Sequence, residues 1–116
     1  MKKKLSIKRV YDAPGVSDGT RVLVDRVWPR GLTKEKAKID IWLKEIAPGT
    51  ELRKWFAHDA AKWKNFHDKY SDELLQNKTA VATLKQLLEK NHCTLVFGAK
   101  DELHNQAVVI KIFLHQ

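Results

Sequence analysis

Two short stretches of the sequence place charged side chains directly after apolar runs. The first, RVWPRG (residues 26–31), carries Arg26 and Arg30 and follows the apolar run VLV. In open α/β sheets, ligands bind beyond the carboxyl ends of the strands. A guanidinium group suits such a position because its planar fork holds a carboxylate or phosphate through two parallel hydrogen bonds. We therefore interpret the stretch as an anion-binding loop. The alternative is that Asp25 pairs with one arginine merely to order the turn.

The local chemistry of this first stretch also predicts a sharp turn. Trp28 precedes a proline and is therefore biased towards an extended conformation, while Pro29 and Gly31 suit the second and fourth positions of a type I turn. Thr33 can then cap a short helix whose amide groups could meet an anion. The predicted ligand-binding residues of this stretch are Asp25, Arg26, Trp28, Arg30 and Gly31.

The second stretch is FGAKDELHN (residues 97–105), which follows another short apolar run. Gly98 permits a close approach of the backbone, Lys100 and Asn105 are predicted to bind and orient a ligand, and Asp101 and His104 are the candidate catalytic acid and base. Each residue has a structural alternative: Asp101 as a helix cap, Lys100 as solvated surface, and His104 as an exposed residue of the first helical turn. The interpretation depends on the two loops facing one another.

Composition limits the other chemistries. The single cysteine, Cys93, excludes an internal disulfide and a multi-cysteine metal site, and it lies at the start of an apolar run rather than in the loop beyond it. The five histidines lack the spacing of zinc ligands, and the chain has neither a glycine-rich phosphate loop nor a G-x-S-x-G turn. We therefore predict no metal and no cofactor, and leave open whether the protein is an enzyme.

Charge and length indicate the partners. The chain of 116 residues has a net charge of +8 and fits one domain, residues 1–116. Residues 1–38 hold eleven Lys and Arg against four Asp and Glu, a net charge of +7, which attracts phosphates, acidic metabolites or nucleic acid. Because no apolar run could span a bilayer and the basic start lacks a signal peptide's apolar stretch, we predict a soluble, cytoplasmic protein without a membrane partner.

The elements that must position these loops follow an α/β order. Alternation predicts strands at residues 5–11 and 21–27, the second of them central because both of its faces are apolar, and a buried strand at residues 93–98. Residues 39–46 fit a strand or a helix, and we favour a strand. Residues 103–116 combine β-branched residues with a helical stripe and an N-cap at Asp101, so propensity leaves them undecided.

Helices are predicted in the middle of the chain. Thr50 can cap residues 51–57, Asp59 can cap the helix that follows, and Thr79 can cap a third. One face of the second helix carries aromatic and apolar side chains that we interpret as core: Trp63, Phe66, Tyr70 and Leu74. The fold class is therefore α/β, a small and partly parallel sheet flanked by helices.

Four motifs give the chain a resemblance to a known family. RVLVDRVWPRGL, WLKEIAP, ELRKWFAHD and FGAKDELHNQAVV occur in this order in the YeaO-like bacterial proteins, a branch of the group that carries domain of unknown function 488. The resemblance implies a compact α/β domain with residues 102–114 as a C-terminal helix. The positions that match the motifs are Asp25, Arg26, Trp28, Pro29, Arg30, Gly31, His58, Lys100, Asp101, His104 and Asn105. The broader group often carries cysteine after the last strand; its absence here argues against thiol chemistry.

Three functions are consistent with the sequence. The leading hypothesis is a protein that binds a small anionic ligand, a nucleotide or phosphorylated metabolite, between the two loops, with Asp25 orienting an arginine. The second is nucleic-acid binding through the basic N-terminal third, with Trp28 stacking on a base. The third is a non-enzymatic interaction module that uses an exposed aromatic patch around Trp42, Trp55 and Phe56. The oligomeric state is not predicted.

Overall fold

Four parallel strands form the sheet of the computed structural model, which describes residues 4–115. They are β1 (Leu5–Arg9), β2 (Thr20–Leu23), β3 (Ile41–Trp42) and β4 (Cys93–Phe97), in the spatial order β1-β4-β2-β3. Every residue of β4 is buried, as expected of a parallel strand covered on both faces. The predicted α/β class is confirmed. The central position of β2, between β4 and β3, is confirmed as well.

β2 ends earlier than its sequence pattern predicted. The last strand residue is Leu23, and Val24 still donates its N–H to the Val96 carbonyl oxygen at 3.1 Å. Val27 is exposed, so the predicted extension of the strand to residue 27 was wrong. Because the strand ends here, Asp25 and Arg26 leave the sheet at its carboxyl edge.

Within residues 4–115, five α-helices surround the sheet. They are α1 (Lys34–Ala37), α2 (Thr50–Phe56), α3 (Trp63–Gln76), α4 (Lys78–Lys90) and α5 (Gln106–Leu114). The aromatic stripe of α3 is core as predicted, since Phe66, Tyr70 and Leu74 are buried. The resemblance correctly implied a C-terminal helix, although α5 begins four residues later than expected.

The helix starts test the predicted caps. Thr33 accepts a hydrogen bond from the Lys36 N–H, and Asp59 accepts one from the Ala61 N–H at the 3-10 turn that leads into α3, so both caps are confirmed. The caps predicted at Thr50 and Thr79 were wrong because these residues lie inside their helices, after Gly49 and Asn77. The side chain of Asn77 bonds the Glu45 carbonyl instead.

The sequence pattern of residues 39–46 fitted either a strand or a helix, and the structure has a short strand followed by a helical turn. Only Ile41 and Trp42 form a strand, paired with the end of β2, and a 3-10 turn follows at Lys44–Ile46. The favoured strand is therefore confirmed for two residues and wrong for the rest. The short strand leaves the carboxyl end of β2 open beyond Leu23.

The two faces of the sheet are covered unequally. Helices α2 to α5 pack the main core against Val22 and Leu95, whereas the opposite face, with Leu23 and Val96, is covered by the connection that contains α1. No helix within residues 4–115 is long and apolar enough to cross a membrane.

A buried ion network holds α1 and the β1–β2 connection to the sheet. Asp18 lies 2.8 Å from the Lys8 ammonium and 2.7 Å from the Arg21 guanidinium. Arg21 also donates to the Ala37 carbonyl at 2.8 and 3.1 Å. Burial acts to raise the pKa of Asp18, but hydrogen bonds from Lys8, the Gly15 N–H and Arg21 hold that pKa below its ordinary value.

Candidate functional site

A cavity of about 220 Å³ lies at the carboxyl ends of β2 and β4. This is where open α/β sheets bind ligands. The sheet side of the cavity is formed by the segments that follow the two strands and by the start of α5: Asp25, Arg26, Val27, Gly98, Ala99, Asn105 and Gln106. The helical side is formed by α2, α3 and the segments before and after α2: Ala47, Pro48, Arg53, Phe56, His58 and Phe66.

Asp25 lies on the sheet side of the cavity and links three elements. Its carboxylate accepts the Gly98 N–H at 2.8 Å and a short hydrogen bond from the Gln106 side-chain amide. Burial raises the pKa of Asp25, and the bonds from Gly98 and Gln106, together with the charge of His58, offset part of that rise. The predicted pairing of Asp25 with an arginine was wrong, because the carboxylate bonds to the end of β4 and the start of α5 instead.

Gly98 allows this approach for a steric reason. A Cβ atom at position 98 would lie 2.9 Å from Oδ2 of Asp25, closer than real Cβ contacts permit. The sequence predicted a close approach at this glycine, and the group that approaches is the carboxylate of Asp25. The end of β4 and the residue that follows β2 are thereby joined directly.

Arg26 and Arg53 supply the positive charge of the cavity. Arg26 is half-buried, and its guanidinium donates to the Pro48 carbonyl at 3.2 Å and the Ala47 carbonyl at 3.0 Å. Arg53 is exposed on α2. Within residues 4–115, neither arginine forms an ion pair. Both charges are therefore available to an anion in the cavity.

His58 reaches the cavity through an unusual backbone at the end of α2. Ala57 and His58 both have left-handed conformations, with φ of 47° and 58°. Such a conformation costs an L-residue about 1–2 kcal/mol, and strained backbone tends to occur at functional sites. The exposed side chain of His58 lies on the cavity wall, near enough to Asp25 for its charge to influence that carboxylate.

The first predicted loop lies outside the cavity beyond Val27, and so do its predicted ligand-binding residues Trp28, Arg30 and Gly31. Trp28 is half-buried, donates its ring N–H to the Leu32 carbonyl at 2.7 Å and packs edge-on against Trp42. Arg30 is exposed, and its carbonyl accepts a hydrogen bond from Tyr11. The predicted type I turn was wrong: the turn residues are Arg30 and Gly31, and the φ of Gly31 is 82°, a left-handed value that glycine adopts without strain.

The second predicted loop is divided between the cavity and the surface. Asp101 and His104 form a pair of their own, with 2.8 Å between the carboxylate and Nδ1, and His104 packs edge-on against Trp63. The hydrogen bond from His104 lowers the pKa of Asp101. Neither side chain lines the cavity, and Lys100 is exposed beside them.

Asn105, the remaining predicted ligand-binding residue, lines the cavity and also caps α5. Its Oδ1 accepts the Val108 N–H at 3.2 Å, and its Nδ2 donates to the Asp101 carbonyl at 2.9 Å. The cap predicted at Asp101 was therefore wrong. Asp101 uses its carboxylate within its own turn, on the N–H groups of Leu103 and His104, so the helix begins only after Asn105.

The structure thus brings Asp25, Arg26 and Asn105 together and adds residues that sequence reasoning missed. Arg53 was not singled out, and His58 was named only as a position that matches the family's motifs. Nothing in the spacing of ELRKWFAHD indicates that the end of α2 packs beside the edge of the sheet. The predicted aromatic patch lacks one member, because Phe56 is buried. Its ring stacks on that of Phe66, with 4.1 Å between the ring centres.

The fold and the cavity define a class: a small α/β protein with a charged cavity at the carboxyl edge of a parallel sheet. The chain belongs to the YeaO-like DUF488 family. Residues 4–116 match the family profile described as the inactive DUF488-N3 subclade. The chain is 41% identical over 110 residues to the uncharacterized protein YeaO of Escherichia coli K12, covering 95% of this chain and 96% of that protein.

Relatives also occur in mycobacteria. An uncharacterized protein of Mycobacterium tuberculosis is 34% identical over 112 residues, which is 97% of this chain and 94% of that protein. A protein of Mycobacterium bovis matches to the same extent. No solved structure matches the chain.

Proposed function

We propose that the protein binds a small anionic ligand in the cavity and catalyses no reaction. The observation that carries the proposal is the pair of arginines, Arg26 and Arg53, which line the cavity without an ion-pair partner within residues 4–115. The family description as an inactive subclade supports the absence of a catalysed reaction. Asp101 and His104, the predicted acid and base, bond to each other outside the cavity and have no part in the proposed site.

The size of the cavity limits the ligand. A volume of about 220 Å³ lies below the range of about 300–1,000 Å³ that is typical of pockets for drug-sized ligands. A phosphorylated or carboxylated metabolite fits this space, whereas a nucleotide would extend out of it. We therefore favour the metabolite over the nucleotide.

Arg26 is held in position before a ligand arrives. Its bonds to the Ala47 and Pro48 carbonyls leave part of the guanidinium fork free. A guanidinium that is already ordered loses little further side-chain entropy on binding, and its half-buried position strengthens attraction to an anion. Phe56 and Phe66 form an apolar wall beside it, as is typical of small-molecule sites.

An NMR titration with ethyl phosphate tests the proposal. We expect shifts of the Gly98 and Gln106 amide signals, and we expect Arg53→Ala to weaken binding about tenfold, which corresponds to one charge-assisted hydrogen bond. Arg30→Ala is the matched control, since Arg30 is exposed outside the cavity. The proposed site would be contradicted if the two substitutions changed the affinity equally, or if only amide signals of residues outside the cavity shifted.

A second candidate function, single-stranded nucleic-acid binding, is favoured by a separate surface. The connection between β2 and β3 carries four exposed basic residues within nine positions: Arg30, Lys34, Lys36 and Lys38. Tyr11, whose hydroxyl bonds the Arg30 carbonyl, is 44% exposed and carries the Arg9 guanidinium 5.3 Å from its ring centre. Exposed aromatic rings among cations suit stacked bases and phosphates. Tyr11 is better placed than the half-buried Trp28 that the sequence suggested.

Fluorescence anisotropy with a labelled single-stranded oligonucleotide tests this candidate. Each phosphate contact adds about 0.7 to the slope of log affinity against log salt concentration. Replacing Lys34 and Lys36 with alanine should therefore reduce the slope by about 1.4, whereas Lys85→Ala on α4 should leave it unchanged. Affinity that does not vary with salt would exclude the function.

A further inference from the structure

Asp25 poses a physical problem for an anion site, because a carboxylate inside the cavity repels an anionic ligand. Its hydrogen bonds from Gly98 and Gln106 stabilise the charged form but leave that charge within the cavity. No arginine within residues 4–115 forms an ion pair with it. A purely anionic ligand would thus be attracted by Arg26 and Arg53 and repelled by Asp25.

The charged groups that line the cavity differ in their depth of burial. Asp25 is half-buried at the inner end, on the edge of the sheet, whereas Arg53 and His58 are exposed at the outer end. Arg26 lies beside Asp25 in sequence, and its guanidinium is held on the Ala47 and Pro48 carbonyls. The negative charge of Asp25 is therefore more deeply buried than the positive charge of Arg53, and Arg26 lies next to Asp25.

At the inner end, Gln106, Asn105 and Gly98 each already donate a hydrogen bond to an acceptor of the protein. The Gln106 amide nitrogen is bonded to Asp25, and the Asn105 amide nitrogen is bonded to the Asp101 carbonyl. The Gly98 N–H is likewise bonded to Asp25. The charged group that this end offers a ligand is the carboxylate of Asp25, which accepts hydrogen bonds.

We propose that the ligand is zwitterionic, with an ammonium group that binds Asp25 at the inner end and an acidic group that binds Arg26 and Arg53. The inference rests on the proposed function and narrows its ligand class to amino acids, amino phosphates and molecules of similar charge and size. An ammonium group turns the repulsion from Asp25 into a charge-assisted hydrogen bond. The acidic group keeps the contacts already assigned to the arginines.

Calorimetric titration with matched pairs of probes tests the inference. Aspartate and succinate differ only in an amine, as do phosphoethanolamine and ethyl phosphate. We expect the amine-bearing member of each pair to bind the parent protein about tenfold to a hundredfold more tightly, the range of one hydrogen bond between charged groups. Equal affinities within both pairs would overturn the inference while leaving the proposed function intact. Failure of all four probes to bind would overturn both.

Asp25→Asn provides the second measurement. The substitution keeps the shape of the side chain and removes its charge, so the preference for amines should disappear and the amine-free probes should bind more tightly than they bind the parent. Asp68→Asn, an exposed change on α3, should leave the preference unaltered. If Asp25→Asn folds by circular dichroism and keeps the preference, Asp25 only joins structural elements and the inference is wrong. If it does not fold, the parent protein's affinities for the matched pairs decide.

Discussion

Replacing Gly98 with alanine tests directly how the two strand ends are joined. The added Cβ would lie 2.9 Å from Oδ2 of Asp25, and no other atom lies within 4 Å of it. The backbone at position 98 is not left-handed, so the substitution introduces no conformational strain. The carboxylate must therefore move away and weaken the bond that it accepts from the Gly98 N–H.

The expected loss in free energy of unfolding follows from the weakening of the hydrogen bond between the Gly98 N–H and Asp25. A hydrogen bond to a charged group contributes about 1.5–3 kcal/mol, and alanine returns about 0.4–1 kcal/mol by restricting the unfolded chain. Gly98→Ala should thus lower the free energy of unfolding by about 0.5–2.5 kcal/mol. In urea this corresponds to a midpoint lower by about 1 M for a domain of this size.

A double-mutant cycle with Asp25→Ala isolates the contact. Without the carboxylate, the alanine at position 98 meets nothing, so in that background Gly98→Ala should be neutral or stabilise by about 0.4–1 kcal/mol. Urea unfolding followed by tryptophan fluorescence measures all four proteins. Gly15→Ala serves as the control because its nearest contact would be an ordinary 3.8 Å. The reasoning is refuted if Gly98→Ala costs as much without Asp25 as with it.

Five further substitutions, in three groups, have defined expectations. Gly19→Ala, at φ 64° and against a neighbouring carbonyl, should cost more than about 3 kcal/mol in thermal unfolding, whereas Gly31→Ala, at φ 82° with open space around it, should cost about 1–2 kcal/mol. Asp18→Asn should cost about 3–5 kcal/mol at neutral pH. Folding lowers the pKa of Asp18, so the parent protein's extra free energy of unfolding is complete above the unfolded pKa of 3.8. It should shrink as the pH falls below 3.8 and the carboxylate is protonated. A difference between the two proteins that does not change with pH would contradict the pairing. Asn105→Ala should cost about 1–2 kcal/mol as the true cap of α5, and Asp101→Ala less; the reverse order would contradict the assignment.

The sequence predicted which strand ends meet, but not which side chains enter the cavity. Apolar alternation identified β2 and β4, and parallel strands place the residues that follow them at one edge of the sheet. Asp25, Arg26 and Gly98 are therefore where they were expected. The directions of Arg30 and Lys100 depend on the conformation of each turn, in particular the positive φ of Gly31, and periodicity carries no information about that angle.

Arg53 and His58 show a different limit. Their position beside the sheet depends on how α2 packs against α3 and on two consecutive left-handed residues, Ala57 and His58. Alanine does not signal such a conformation, and histidine, although enriched at positive φ, adopts it in only a small fraction of cases. Tertiary packing imposes it, so only the three-dimensional structure adds these residues to the site.

The start of α5 illustrates competition between equivalent local motifs. Asp101 and Asn105 are both good N-cap residues, and each uses its side chain to accept backbone N–H groups. Asp101 closes a turn that is not continued, whereas Asn105 begins the helix. Burial of Asn105 and Ala107 against the core decides between them, and that burial is not visible in the local sequence.

The strand order has a consequence for the newly made chain. β4 lies between β1 and β2, yet it is the last of the four strands to be synthesised. On the ribosome, β1 and β2 have no shared neighbour until residues 93–97 emerge, so the sheet assembles late and around its final member. A nascent chain that stops before Cys93 lacks both the middle of the sheet and, without Gly98 and Gln106, the partners of Asp25. Residues 93–106 must therefore be synthesised before the four-stranded sheet and the cavity can form.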